Sequence, residues 1–271
     1  MAASSPEGRV ALVTGAARGI GAATVAKLCS QGYRVMAIDS CASEGPLRPE
    51  GVDYALAERE ELLELERRFP DHVVTSIVDV RDAAGLAAAA ADTVDRFGRL
   101  DAAVAGAAVI IGGRALWETP ESHIRNLLDV DVVGVWHTAK ATIPFMLAGP
   151  SPHGCRFVAI ASAAGTQGLF HLAAYTAAKH AVVGLARGLA ADLVGTGVTA
   201  VAVAPGSTDT PMLRATADLY GIDEVDHFTS SQLLRRLLDP AEVAETIAFC
   251  CSVEGAALNG SVVSATGGFT S

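Results

Sequence analysis

The chain has 271 residues, of which 51% are hydrophobic and 18% charged, and a formal net charge of −10 at pH 7. Such an acidic excess argues against a nucleic-acid backbone or an anionic membrane as partner, and the scattered Lys and Arg residues form no basic stripe. No apolar run is long enough for a bilayer, and MAASSPEGR ahead of Val10 carries no apolar stretch. Five cysteines (29, 41, 155, 250 and 251) form no C-x-x-C, and the histidines form no H-E-x-x-H. Free thiols in a reducing cytoplasm and no metal site are the expectation.

In chain order, apolar and β-branched runs predict strands at 10–13, 34–38, 73–78, 101–105, 157–161, 198–203 and 261–265. Ala-, Leu- and Glu-rich stretches at 57–68, 83–97, 121–148, 172–194 and 240–252 read as helices between them. Alternation of this kind, with strands apolar almost throughout, predicts a parallel sheet covered on both faces. No linker or charge tract interrupts it, so one domain is expected over 1–271. Two stretches fit the alternation poorly. Residues 40–56, with Gly45, Pro46, Pro49 and Gly51, read as an insertion after the second strand. Residues 206–239 read as a long, partly helical loop that lids a substrate pocket.

VTGAARGIG, residues 13–21, follows the first strand. Glycine at 15, 19 and 21 permits a tight turn and close approach of backbone to a pyrophosphate, which the next helix N-terminus attracts. Arg18 and Ile20 belong to the same turn. Asp39 ends the second strand, where a carboxylate accepts hydrogen bonds from a ribose diol and repels a 2′-phosphate; this favours NAD over NADP. Asp79, in IVDV after the third strand, reads either as a contact to the adenine edge or as a helix N-cap.

YTAAK places Tyr175 and Lys179 one helical turn apart on one face. An ammonium beside a phenol favours the phenolate, so Tyr175 can take a proton from an alcohol or return one to a carbonyl, and Lys179 can also bond a ribose. Such a pair is common on surface helices and gains meaning from its company. Ser162 closes the fifth strand at the same sheet edge, with its hydroxyl suited to hold a substrate oxygen. Pro205-Gly206 turns the chain after the sixth, where Ser207, Thr208 and Thr210 offer polar groups to a carboxamide or phosphate. Trp117, Phe170, Met212, Leu213 and Leu219 are candidates for an apolar pocket, although core packing is the more usual role for each of them. His171 reads as a surface or helix-start residue, and Cys250-Cys251 as core.

Together, Thr14-Gly15-x-x-x-Gly19-x-Gly21, Asp79-Val80, Ser162, Tyr175-x-x-x-Lys179 and Pro205-Gly206 resemble the short-chain dehydrogenase/reductase family over residues 8–270. The resemblance implies an α/β fold: a three-layer, Rossmann-type, doubly wound, mainly parallel seven-stranded sheet, often in a homotetramer. It also implies NAD as cofactor, Tyr175 as acid/base and Ser162 as anchor of the substrate oxygen in an alcohol or ketone. Two departures stand out. The family's Asn-Asn-Ala-Gly after the fourth strand is Ala105-Gly106-Ala107-Ala108, which leaves room for a cofactor without the bracing amides. The family's helix Asn aligns with Asp131, which lies on a stripe with Ile124, Leu127, Leu128 and Val135 and so faces inward, pairing with Lys179 through water and slowing Tyr175. The 40–56 insertion, GRLDAAVAGAAVIIGG, LFHLAAYTAAKHAVVGLARGLAADL and the GGFT ending further resemble the mycofactocin-associated branch. That likeness implies tightly held NAD(H), reoxidised by mycofactocin. An NADPH-linked carbonyl reductase and a non-catalytic NAD sensor on the same fold stay open as alternatives.

Overall fold

The computed structural model describes residues 8–43 and 47–270, so Gly45 and Pro46 of the insertion lie outside the described residues. Seven strands form one sheet: β1 (Val10–Thr14), β2 (Arg34–Asp39), β3 (Val73–Ile77), β4 (Ala102–Ala105), β5 (Arg156–Ile160), β6 (Thr199–Pro205) and β7 (Val262–Ala265). Their order is β3-β2-β1-β4-β5-β6-β7, and every pairing is parallel. The chain works outward from β1 to β3, then returns to place β4 on the other side of β1. A crevice opens beyond the carboxyl ends at that reversal.

Strand side chains alternate between two cores because successive Cβ atoms point to opposite faces. On one face Val13, Val104, Val158 and Val203 pack against α1 (Gly19–Ser30), α2 (Arg59–Arg68) and α8 (Pro240–Cys251). On the other, Leu12, Ile38, Ala103 and Phe157 meet α3 (Ala83–Phe97), α5 (Gly134–Ala148) and α6 (Ala173–Asp192). Cys250 and Cys251 are buried in the first core, and all five cysteines are free. α3 starts on Asp82, whose carboxylate accepts from the Ala84 and Gly85 amides, and stops at left-handed Gly98.

The expected helix over 121–148 is interrupted. α4 (Glu121–Leu127) runs into a π-helical turn at Leu128–Val133 before α5 begins. Widening that turn rotates the stripe expected at regular spacing. Leu127, Asp131 and Val135 are buried, whereas Leu128 turns outward, 37% exposed. The 206–239 stretch contains α7 (Pro211–Tyr220) and a 3-10 segment at Val225–Ser231.

The residues after β2 form a strap rather than a free loop. Arg48 donates to the carbonyls of Val52 (2.8 Å), Tyr54 (3.0 Å) and Ser43 (3.3 Å), giving the strap its own scaffold. Arg18 reaches up from the glycine turn to the Ala55 carbonyl (2.6 Å), and Arg81 donates to the Leu47 carbonyl. At the far side, Asn126 of α4 donates to the Glu50 carbonyl (2.9 Å).

Candidate active site

A continuous groove of about 870 Å³ runs along the carboxyl ends of the strands, from Asp39 and Asp79 at one end to Ser162, Tyr175 and the α7 region at the other. The glycine turn shapes its floor. Gly15 sits at φ +69°, and a Cβ there would come within 2.7 Å of the Ala107 backbone. A Cβ at Gly21 would collide with the Gly15 carbonyl oxygen, so α1 packs against the turn only with hydrogen at that position. Arg18 at the helix N-cap makes no side-chain cap, and the first turn of α1 holds no acidic residue. Backbone N–H groups and the positive end of the helix dipole therefore face the groove with no acidic side chain from α1 itself, the nearby Asp39 carboxylate being engaged by the Ala17 amide.

Most of the expected cofactor residues line this groove: Gly15, Arg18, Gly19, Ile20, Gly21, Asp39, Asp79, Val80, Gly106, Tyr175, Lys179, Pro205, Gly206, Thr208 and Thr210. Ala105 does not. It is the last residue of β4, buried in the core beneath the floor, and its neighbours Gly106, Ala107 and Ala108 form the surface instead. The Asp39 carboxylate accepts from the Ala17 and Cys41 amides, both at 3.1 Å; burial nonetheless pushes its pKa up against these bonds. Asp79 is not an N-cap, since Asp82 has that position. Its carboxylate accepts from the Arg81 amide (2.9 Å) and guanidinium. Burial works against its ionisation, but Arg81 prevails and holds the carboxyl below its ordinary value.

At the other end, α6 presents Tyr175 and Lys179 inward, 6% and 2% exposed. The Lys179 ammonium lies 5.6 Å from the centre of the Tyr175 ring. Ser162 follows β5, where its Oγ accepts from the Ala164 amide (3.1 Å), and it lines the groove together with Tyr175, whose ionised form its hydroxyl favours. Lys179 Nζ donates to the Ile160 carbonyl at 3.3 Å.

Asp131 faces inward as expected, but its contact with Lys179 is direct, not through water: Oδ2 lies 3.1 Å from Nζ. Asp131 lies within the π-helical turn. Its Oδ1 accepts from the Val109 amide at 2.9 Å, and the side chain is wholly buried. Burial disfavours the Lys179 ammonium, yet Asp131 outweighs it and holds the amine above its ordinary value. Burial raises the Tyr175 phenol; Lys179 opposes that rise and Asp131 adds to it.

The apolar candidates divide. Met212 and Leu213 line the groove and Phe170 stands at its rim. Trp117 is 82% exposed and lies apart from the groove, while Leu219 packs into the core edge over Gly113. His171 stacks on Phe170 at a ring separation of 3.7 Å. The residue that sequence reading missed is Tyr54. It comes from the strap into the groove, and its hydroxyl accepts from the Ile110 amide at 3.1 Å. A tyrosine in a Gly- and Pro-rich segment without periodicity offers no signal of where it lands. Among the described residues, no cluster of His, Cys, Asp or Glu could hold a metal ion.

Comparison with known proteins agrees with this geometry. The model of the short chain dehydrogenase family matches residues 9–220. A (−)-trans-carveol dehydrogenase of Rhodococcus erythropolis is 31% identical, over 97% of this chain and 98% of its own. An uncharacterized NAD-dependent oxidoreductase of Mycobacterium tuberculosis is 33% identical over 96% of this chain and 94% of its own. Among solved structures, carveol dehydrogenase from Mycobacterium avium in complex with NAD superposes with a TM-score of 0.88 at 30% identity, covering 97% of each chain. A short chain dehydrogenase from Mycobacterium paratuberculosis bound to NAD gives 0.87 at 31% identity, covering 98% of each. With a family model spanning most of its length and relatives matched nearly end to end, the chain belongs to the short-chain dehydrogenase/reductase family.

Proposed function

We propose that this chain is an NAD-dependent oxidoreductase that moves a hydride between an alcohol or carbonyl substrate and nicotinamide, with Tyr175 as the acid/base. The observation that carries the reading is the convergence of Ser162, Tyr175 and Lys179 at one end of a groove whose other end holds Asp39. The groove fits a dinucleotide: the uncapped N-terminus of α1 suits a pyrophosphate, and the Asp39 carboxylate suits a ribose diol but not a 2′-phosphate. NAD-dependent and NAD-bound relatives support the same choice over NADPH. Gly15, Arg18, Gly19, Ile20, Gly21, Asp79, Val80, Gly106, Pro205, Gly206, Thr208 and Thr210 are the proposed cofactor neighbours, in a single domain.

A bound nicotinamide supplies the hydride acceptor for oxidation and the donor for reduction. Ser162 orients the substrate oxygen. Tyr175 takes the hydroxyl proton as the carbinol carbon gives up hydride, and returns it in the reverse direction. Lys179 stabilises the phenolate that this requires. Beyond Tyr175 the groove is lined by Leu169, Met212, Leu213, Tyr220, Ile222 and Phe228. Thr216, His227 and Ser231 line the same part, but no Lys or Arg from 211–231 does, which supports an uncharged, largely apolar alcohol or ketone as substrate, as do relatives named for carveol.

The strap over the groove supports slow exchange of NAD(H), and with it mycofactocin as the electron acceptor that reoxidises the cofactor in place. No helix among the described residues is long and apolar enough to cross a membrane, and a cytoplasmic setting is our reading. The test is a panel of apolar alcohols with an artificial dye acceptor beside direct NAD reduction, on wild type and Tyr175→Phe. We expect the variant to retain cofactor and lose turnover by roughly 10²–10⁴-fold. A Tyr175→Phe enzyme that oxidises alcohols at the wild-type rate overturns the reading. Bound NAD(H) that survives dialysis supports the mycofactocin arm, and rapid exchange with added NAD refutes it.

A further inference from the structure

The strap does more than cover the groove. We propose that Tyr54 is a positioning residue that couples the strap to the Asp131–Lys179 pair, so that the segment lying over the cofactor also sets the electrostatics of Tyr175. This deepens the reading above and rests on it.

Two adjacent amides carry the link. Val109 N–H donates to Asp131 Oδ1 at 2.9 Å, and Ile110 N–H donates to the Tyr54 hydroxyl at 3.1 Å. Val109 and Ile110 are both buried, 5% and 4% exposed, so neither amide has solvent as an alternative partner. Tyr54 thus holds one end of the peptide segment whose other end holds the carboxylate. On its far side, Tyr54 is fixed by the cofactor turn and by the strap itself. Arg18 donates to the carbonyl of the next residue, Ala55, at 2.6 Å, and Arg48 to the carbonyl of Tyr54 at 3.0 Å. A continuous chain of contacts therefore runs from the glycine turn through Ala55, Tyr54, Ile110, Val109 and Asp131 to Lys179, 3.1 Å beyond. Burial keeps the Tyr54 phenol neutral, so it accepts from Ile110 without adding charge to the site. The charged and titratable groups facing this point are Asp131 from the π-helical turn, Tyr175 and Lys179 from α6, and Arg18 from the glycine turn.

Tyr54→Phe keeps the ring and removes the acceptor. If the link holds, releasing Ile110 lets Val109 and the Asp131 carboxylate drift from Lys179, so that less negative charge acts on Tyr175. The full-length variant, at saturating NAD, is then expected to change kcat about threefold or more with the KM for alcohol unchanged. The rising limb of its kcat–pH profile shifts toward lower pH, in the same direction as Asp131→Asn. Combining the two changes gives an effect on log kcat short of their sum, because the carboxylate that Tyr54 positions is already gone. Dissociation of NADH, followed by its fluorescence, gives a readout independent of turnover and is expected to quicken about fivefold. Asn126→Ala, which loosens the strap far from Ile110, serves as the comparison and is expected to leave the kcat–pH profile as in wild type. The proposal is overturned if Tyr54→Phe alters only NADH release while kcat and its pH profile stay at wild-type values, or if the double variant is additive within about twofold. Failure of the underlying reading is distinguishable, because there the wild type itself oxidises no alcohol, or Tyr175→Phe keeps full activity.

Discussion

Asp131 is where this chain pays most for its arrangement. A wholly buried carboxylate needs partners: Oδ1 has the Val109 amide, whereas Oδ2 has the Lys179 ammonium in ion-pair contact but no aligned hydrogen bond. Removing one member of a buried ion pair strands the other, at a cost of roughly 3 kcal/mol. Asp131→Asn is therefore expected to lower the melting temperature of the cofactor-free protein, measured by calorimetry. The same change takes away the negative charge that raises the Tyr175 pKa. Its kcat–pH profile should rise at lower pH than in wild type, with faster oxidation near neutrality; an unchanged profile and rate refutes the idea. Asp79 behaves oppositely in stability. Its folded pKa lies below the ordinary 3.8, so the Arg81 pair stabilises the fold above that value and the contribution fades as pH falls below it. Arg81→Ala should depress the melting temperature at neutral pH, with an effect that shrinks as the pH is lowered past 3.8, as thermal melts across that range would reveal.

At the scale of elements, the glycine turn and the strap hold the groove from below and above. Gly21→Ala forces a methyl group into the Gly15 carbonyl and is expected to cost about 1–3 kcal/mol in chemical denaturation, with loss of cofactor retention. Arg48 bonds three strap carbonyls, and these charge-assisted bonds hold a segment with no helix or strand among its described residues. Arg48→Ala should speed NADH release about tenfold, the equivalent of one such bond. A stopped-flow displacement trace matching wild type would remove the strap from the account of cofactor retention. The π-helical turn is the third device. Without it, the α4–α5 helix would present the Asp131 position in a different rotation, and Leu128 would join the buried stripe instead of facing out.

For the whole molecule, the parallel sheet covered on both faces delivers every acting residue to the carboxyl edge, because each crossover helix returns the chain to the same side. The outer face of α5 exposes two large apolar side chains, Trp136 (59%) and Leu147 (41%), with Lys140 between them. This supports our expectation of a homotetramer formed in part through this face. Sedimentation of Trp136→Glu is expected to shift toward smaller species, and wild type sedimenting as a monomer would refute the expectation.

Much of this architecture was legible in the residues themselves. Apolar and β-branched runs marked all seven strands to within a residue or two, since the central strands are buried on both faces and must be apolar almost throughout. Gly15, Gly19 and Gly21, and the i, i+4 spacing of Tyr175 and Lys179, declared themselves because local backbone geometry constrains them. Three facts depended on tertiary structure. The π-helical turn carries no periodic signature, so the direct Asp131–Lys179 contact was out of reach. Trp117 suggests pocket or core by its chemistry alone, and only packing leaves it in solvent. The place of Tyr54 follows from bonds made by Arg18, Arg48 and Ile110, residues far apart in the chain, and no local pattern encodes where an aperiodic strap lies once its partners are brought together.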